Sequence, residues 1–184
     1  MKPAYTGVKY DRTPAELQQY ILTCILAGGK TASDVEKKVN AVTAEVPDGT
    51  MPCDHLLQKA NLKEYLQCNR TGMYQRLMGA ISQITQLDLK TATVEELRTI
   101  PGVGPKTSRL FLLRSRRNVS HAAIDTHTLK FLRSNGVSRV PEKTPVSDCE
   151  YLRLEAELLR LFAEKYPDLT PAEADAKVWE SYRR

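Results

Sequence analysis

Two side chains in this sequence have the type and setting for covalent chemistry, Lys106 and Asp125. Lys106 stands in "TIPGVGPKTS" (99–108), directly after two glycines and two prolines. Pro105 suits the first position of a helix, where its missing N–H would have had no partner. Lys106 then falls in the first helical turn, where the macrodipole disfavours a positive charge. A neutral amine is a nucleophile. The plainer role for this lysine is a salt link to a phosphate. Asp125 lies nineteen positions further on, in "AAIDTH" (122–127). Its carboxylate can cap the helix that follows, or it can face Lys106 across a groove. His127 is a third polar group in that stretch, of the kind more often packed or hydrogen-bonded than catalytic.

The elements around Lys106 read as helix, "PGVG", helix. Glycines such as Gly102 and Gly104 let a backbone turn sharply and approach a ligand closely. The free N–H groups at the start of the next helix can grip a phosphate. This is the logic of a helix–hairpin–helix clamp on the DNA backbone, which positions without reading sequence. Gly102, Val103, Gly104, Thr107 and Arg109 are its candidate DNA contacts. From Pro105 to Ala123 the charged residues are Lys106, Arg109, Arg114, Arg116 and Arg117, with no acid among them. Such a run either meets phosphates or forms the basic end of a solvated helix.

Helix signals dominate the rest of the chain. "TPAE" at 13–16 offers Thr13 as N-cap, Pro14 at the first position and Glu16 to complete a capping box. Thr93 with Glu96 and Ser147 with Glu150 have the same spacing, and "TPAE" recurs at 170–173. Helices are also expected at about 32–42, at 54–60, within 73–87, from Pro105, and from Asp125 to Gly136. No alternating strand pattern stands out. The expectation is an all-α protein of about nine or ten short helices.

The 184 residues, 41% hydrophobic and 27% charged, suit a folded chain of one domain or two small lobes. A net charge of +5 leans towards a polyanionic partner. Cys24, Cys53, Cys68 and Cys149 include no C-x-x-C pair, so no iron–sulfur cluster and no zinc site is expected. They read as reduced, mostly buried thiols of an intracellular protein. No apolar run approaches the length of a membrane span, and the N-terminus lacks an apolar signal core.

"L-x-x-I-PGVG-x-K-T" followed by "IDTH" resembles the helix–hairpin–helix DNA glycosylase superfamily that includes endonuclease III. Within it, "PGVGPKTSRLFLLRS", "IDTHTLKFL", "VPEKTPVSDCEYLRLEAELL" and "EADAKVWESYRR" are similar to the small archaeal-type 8-oxoguanine DNA glycosylase/AP lyases. The resemblance implies a two-lobed all-α fold without an iron–sulfur cluster. Residues 28–130 would form the central bundle, and 1–27 with 131–184 the second lobe. Double-stranded DNA would lie in the cleft between them, bound by a monomer.

The resemblance also implies roles. Lys106 would attack C1′ and form a Schiff base, and Asp125 would stabilise the charge developing on the sugar. The carbonyls of Arg98, Ile100 and Val103 would hold a monovalent cation, Na+ or K+; no other cofactor is implied. Met73 or Tyr74 would wedge into the duplex, or else pack in the core. Trp179 would stack on the extruded base, or pack, and Gly28 and Gly29 would line the base pocket. Five residues follow Trp179, fewer than in the archaeal-type enzymes. The resemblance implies a damaged base as substrate with 8-oxoguanine as leading candidate, and the short end after Trp179 counts against that particular base. Another damaged or enzymatically modified base is the alternative, and a non-catalytic DNA-binding module is the rival of a different class.

Overall fold

The computed structural model describes residues 7–27 and 31–182. Among them are ten α-helices and no strand. In chain order these are α1 (Pro14–Leu26), α2 (Ala32–Thr43), α3 (Pro52–Leu57), α4 (Leu62–Cys68), α5 (Tyr74–Ile84), α6 (Val94–Leu97), α7 (Pro105–Ser115), α8 (Thr126–Ser134), α9 (Asp148–Lys165) and α10 (Pro171–Tyr182). No helix among the described residues is long and apolar enough to cross a membrane.

Capping chemistry sets most of the starts. Thr13 and Thr93 form reciprocal boxes with Glu16 and Glu96. Thr170 does the same with Glu173, its N–H donating to Oε2 at 2.8 Å while its hydroxyl accepts from the Glu173 N–H at 3.3 Å. Each box satisfies donors that the first turn of a helix leaves open. The box expected at Ser147 does not form, because that side chain makes no capping bond. There α9 starts on its backbone, with the Tyr151 N–H donating to the Ser147 carbonyl at 2.9 Å. Asp148 and Glu150 favour the positive end of its dipole. Helix α3 begins at Pro52, two residues ahead of the expected start. Helix α4 was not foreseen; Asn61 caps it by accepting from the Glu64 N–H at 3.1 Å.

Packing divides the chain after Gly104. Asp11–Gly104 belong to one compact unit, and Val8–Tyr10 join the residues from Pro105 onward in the other. In the first, α1 packs on α2, α3 and α5, and α5 also meets α3 and α4. Leu17, Ile21, Ile25, Leu56, Leu77, Ile81 and Ile100 are among its buried apolar residues. The sequence had suggested grouping residues 1–27 with the C-terminal helices, but α1 spends its apolar face on α2 and α3.

In the second unit, α10 packs on α7, α8 and α9, and α8 also packs on α9. Its core joins Ile124, Leu129, Leu132, Tyr151, Leu158 and Val178. The Lys9 N–H donates to the Arg114 carbonyl at 3.1 Å, and the Arg117 guanidinium lies 4.9 Å from the Tyr10 ring centroid. These two contacts tie Val8–Tyr10 to the end of α7.

Candidate active site

The turn before α7 needs one of its glycines for conformation. Gly102 has φ +93°, a region side chains rarely enter. A Cβ there would also meet Arg76 Cδ at 2.9 Å and Ile25 Cγ2 at 3.3 Å. Gly104 has no positive φ, and a Cβ on it would enter open space. Gly104 itself is half-buried. Val103 is buried, and its N–H closes the turn on the Ile100 carbonyl at 2.9 Å. Ile100 is one of the three residues, with Arg98 and Val103, whose carbonyls were expected to face a cation. Pro101 is held close to α5 because Gly79 presents no side chain; a Cβ at Gly79 would come within 3.1 Å of Pro101 Cγ.

Lys106 is the second residue of α7, so its side chain leaves from the first turn. Its Nζ lies 3.9 Å from Asp125 Oδ2. The lysine side chain is 42% exposed and that of Asp125 19%. The two oxygens of Asp125 divide the work. Oδ1 accepts from the N–H groups of His127 at 2.8 Å and Thr128 at 2.9 Å, capping α8. The Thr128 hydroxyl returns the bond by accepting from the Asp125 N–H at 2.7 Å. Both roles read from the sequence, cap and partner of Lys106, thus hold at once, and capping fixes the carboxylate that Lys106 meets.

The backbone leading into Asp125 is held by α9. The Tyr151 hydroxyl accepts from the Ile124 N–H at 2.8 Å and donates to the Ala122 carbonyl at 3.3 Å. Glu155, one turn along, accepts from the Ala122 N–H at 2.9 Å through Oε1 and from Arg109 Nε at 2.7 Å through Oε2. His121 Nδ1 lies 3.5 Å from the same Oε1. Burial pushes the Glu155 carboxyl up, but bonds from His121, Ala122 and Arg109, with the arginine's charge, outweigh it and hold the carboxyl below its ordinary range. The Tyr151 phenol is pushed up, chiefly by burial.

Arg109 was expected to contact DNA. It is buried instead, bound to Glu155, with its guanidinium 4.6 Å from the Tyr151 ring centroid. Arg114 is also turned inward, donating to Asp175 Oδ2 at 2.9 Å. Burial pushes the Asp175 carboxyl up against the pull of Arg114, and the charge of Asp125 adds to the push. The basic run of α7 is therefore partly an internal ion-pair system. Sequence reading missed Tyr151, Glu155 and Asp175. Their one local signal is the i, i+4 spacing of Tyr151 and Glu155, a polar pair on an otherwise apolar face of α9.

Trp179 of α10 is half-buried and meets His127 edge-on, with ring centroids 5.9 Å apart and planes at 77°. His127 Nδ1 is 2.9 Å from the Tyr182 carbonyl, so it acts as the donor there. The chain of contacts Asp125, His127, Trp179 brings the expected stacking residue to the same end of α8 as the carboxylate. Thr107 follows Lys106 in the first turn of α7 and is half-buried. In the first unit, Met73 precedes α5 in a left-handed conformation, φ +49°, and is exposed, while Tyr74 is half-buried. Neither is a core residue. Gly28 and Gly29 lie outside the described residues.

Cys24 and Cys53 are buried, whereas Cys68 and Cys149 are exposed, against the expectation of mostly buried thiols. Among the described residues no group of three or more His, Cys, Asp or Glu side chains is gathered to hold a metal.

The family model of the helix-hairpin-helix motif matches residues 87–113. The chain carries that motif. Two solved structures are similar over most of its length. One is the 8-oxoguanine glycosylase/lyase of Methanocaldococcus jannaschii, in complex with a 15-mer DNA containing 8-oxoguanine. It has a TM-score of 0.65 and 24% identity, covering 94% of this chain and 83% of that one. The other is the 8-oxoguanine glycosylase/lyase of Clostridium acetobutylicum, in complex with double-stranded DNA containing cytosine opposite 8-oxoG. It has a TM-score of 0.65 and 19% identity, covering 91% of this chain and 59% of that one. The chain shares their fold. It spans less than two thirds of the clostridial protein. A search of curated proteins finds no significant match.

Proposed function

We propose that this chain is a DNA glycosylase with AP lyase activity, acting on double-stranded DNA that holds a damaged or modified base. The observation that carries the reading is Lys106 Nζ at 3.9 Å from a carboxylate whose other oxygen is fixed by a helix start. A phosphate-binding lysine has no need of a fixed carboxylate beside it; a nucleophile acting on a sugar cation does. The shared fold with two glycosylase/lyases and the hairpin motif support the same reading.

A base inside a duplex is out of reach, so it is first extruded. Trp179 offers a ring for it to stack on. As the C1′–N bond breaks, its electron pair leaves with the base, and Asp125 stabilises the positive charge left on the sugar. Lys106 bonds to C1′ through the lone pair of its Nζ and gives up a proton, and the departing base takes one up. Opening of the C1′–O4′ bond, with O4′ protonated, gives the Schiff base. Loss of a C2′ proton then expels the 3′ phosphate and cuts the strand. Backbone groups of Gly104 and Thr107 hold a phosphate meanwhile; the carbonyls of Arg98, Ile100 and Val103 would hold Na+ or K+, which would supply a countercharge.

The preferred base is 8-oxoguanine, with other damaged or enzymatically modified bases as alternatives. Single-turnover borohydride trapping on a panel of lesion-bearing and abasic duplexes tests this. We expect an adduct with wild type, none with Lys106→Gln, and base release fastest from the 8-oxoguanine duplex. Binding without base release or nicking anywhere in the panel would instead identify a non-catalytic module.

A further inference from the structure

Glu155 touches both halves of the Lys106–Asp125 pair indirectly. Through Oε2 it holds Arg109 Nε at 2.7 Å, and Arg109 Nη1 in turn donates to the Pro105 carbonyl at 3.3 Å, next to Lys106. Through Oε1 it holds the Ala122 N–H at 2.9 Å, at the head of the segment that ends in Asp125. Tyr151, one turn earlier on α9, grips the same segment at Ile124 and Ala122, and its ring lies beneath Arg109. The Thr144 hydroxyl completes the hold by donating to the Ile124 carbonyl at 3.2 Å. The Glu155 side chain is only 6% exposed. A buried carboxylate is costly unless fully bonded. Here Arg109 and Ala122 belong to the two elements that carry the reacting groups, and the third partner, His121, directly precedes the 122–125 segment.

We infer that Glu155 is a positioning residue, which sets the separation of Lys106 from Asp125 by tying the start of α7 and the 122–125 segment to one carboxylate. The inference rests on the glycosylase/lyase reading above. Reacting groups misplaced by about 1 Å can lose two orders of magnitude in rate. Glu155→Gln keeps the shape but gives Arg109 and Ala122, both donors, a single oxygen to share.

The test compares wild type, Glu155→Gln and Tyr151→Phe in single-turnover borohydride trapping on an abasic duplex. Affinity is measured in parallel for a duplex bearing a tetrahydrofuran abasic analogue, and thermal midpoints are recorded. Both variants are expected to trap about tenfold or more slowly, with full final amplitude and unchanged affinity. A purely structural role predicts the opposite split, a reduced amplitude at the wild-type rate. That split, or wild-type rates at full amplitude in either variant, overturns the inference while leaving the function standing. If Glu155→Gln does not fold, Tyr151→Phe decides alone, since it loosens the same segment and keeps the ring under Arg109. Absence of any adduct with wild type would overturn the functional reading and this inference together.

Discussion

Asp125 and Lys106 meet because one residue serves as a cap and as a partner. This gives two substitutions at Asp125 with different consequences. Asparagine caps helices as well as aspartate does, so Asp125→Asn should leave stability almost unchanged and remove only the charge. Base release in that variant should slow by about 100-fold or more, read in single turnover. Asp125→Ala should add a loss of about 1 kcal/mol from the missing cap, read by urea denaturation. If both variants lose the same stability, the capping geometry of Oδ1 is not as described. At this scale the sequence was informative where chemistry is local. Lys106 and Asp125 stand out because proline, glycine and helix-start signals surround them. Arg109 misled, because its partner Glu155 is 46 positions away, and a cation next to a presumed DNA clamp reads equally well as a phosphate contact. Nothing local in a sequence separates a buried pair from an exposed cation.

The hairpin before α7 is the element on which the reading depends most, and its two glycines should behave differently. Gly102→Ala forces a side chain to φ +93° and against Arg76 and Ile25. It should cost about 1–3 kcal/mol of stability, measured by denaturant unfolding. Gly104→Ala meets nothing in the protein and should keep the wild-type midpoint while weakening duplex binding. Equal destabilisation by both would show that Gly104 also serves the turn. Helix starts were legible where a threonine or aspartate supplied the cap, whereas the start of α3 at Pro52, with no side-chain cap, was not. Helix α4 escaped because Leu66 is its one buried residue, too few for a periodic apolar signal. At Ser147 the spacing of a capping box was present without the bond, because the residue types permit that geometry but do not enforce it.

At the scale of the molecule, the all-α class of the described residues and the hairpin could be read from periodicity and capping. The division of the chain after Gly104 could not, since α1 is apolar enough to join either unit and only packing assigns it. The excess of basic residues was visible, but part of it is spent on Glu155 and Asp175. That spending has a pH consequence. The Glu155 carboxyl is held below its ordinary range in the folded protein. Its contribution is therefore present above the unfolded-chain value of about 4.3 and fades as pH falls through the lower folded value. Wild type should lose stability on acidification below about pH 4.3 more steeply than Glu155→Gln, as thermal midpoints across that range would record. Parallel curves would mean that the network is not what acid breaks.

The central claim is that Lys106 is the amine that bonds to the sugar. Trapping wild type on an abasic duplex with borohydride, digesting the adduct and locating the modified residue by mass spectrometry tests it most directly. The account predicts one adduct, on Lys106. An adduct on another amine, or none at all, would contradict it.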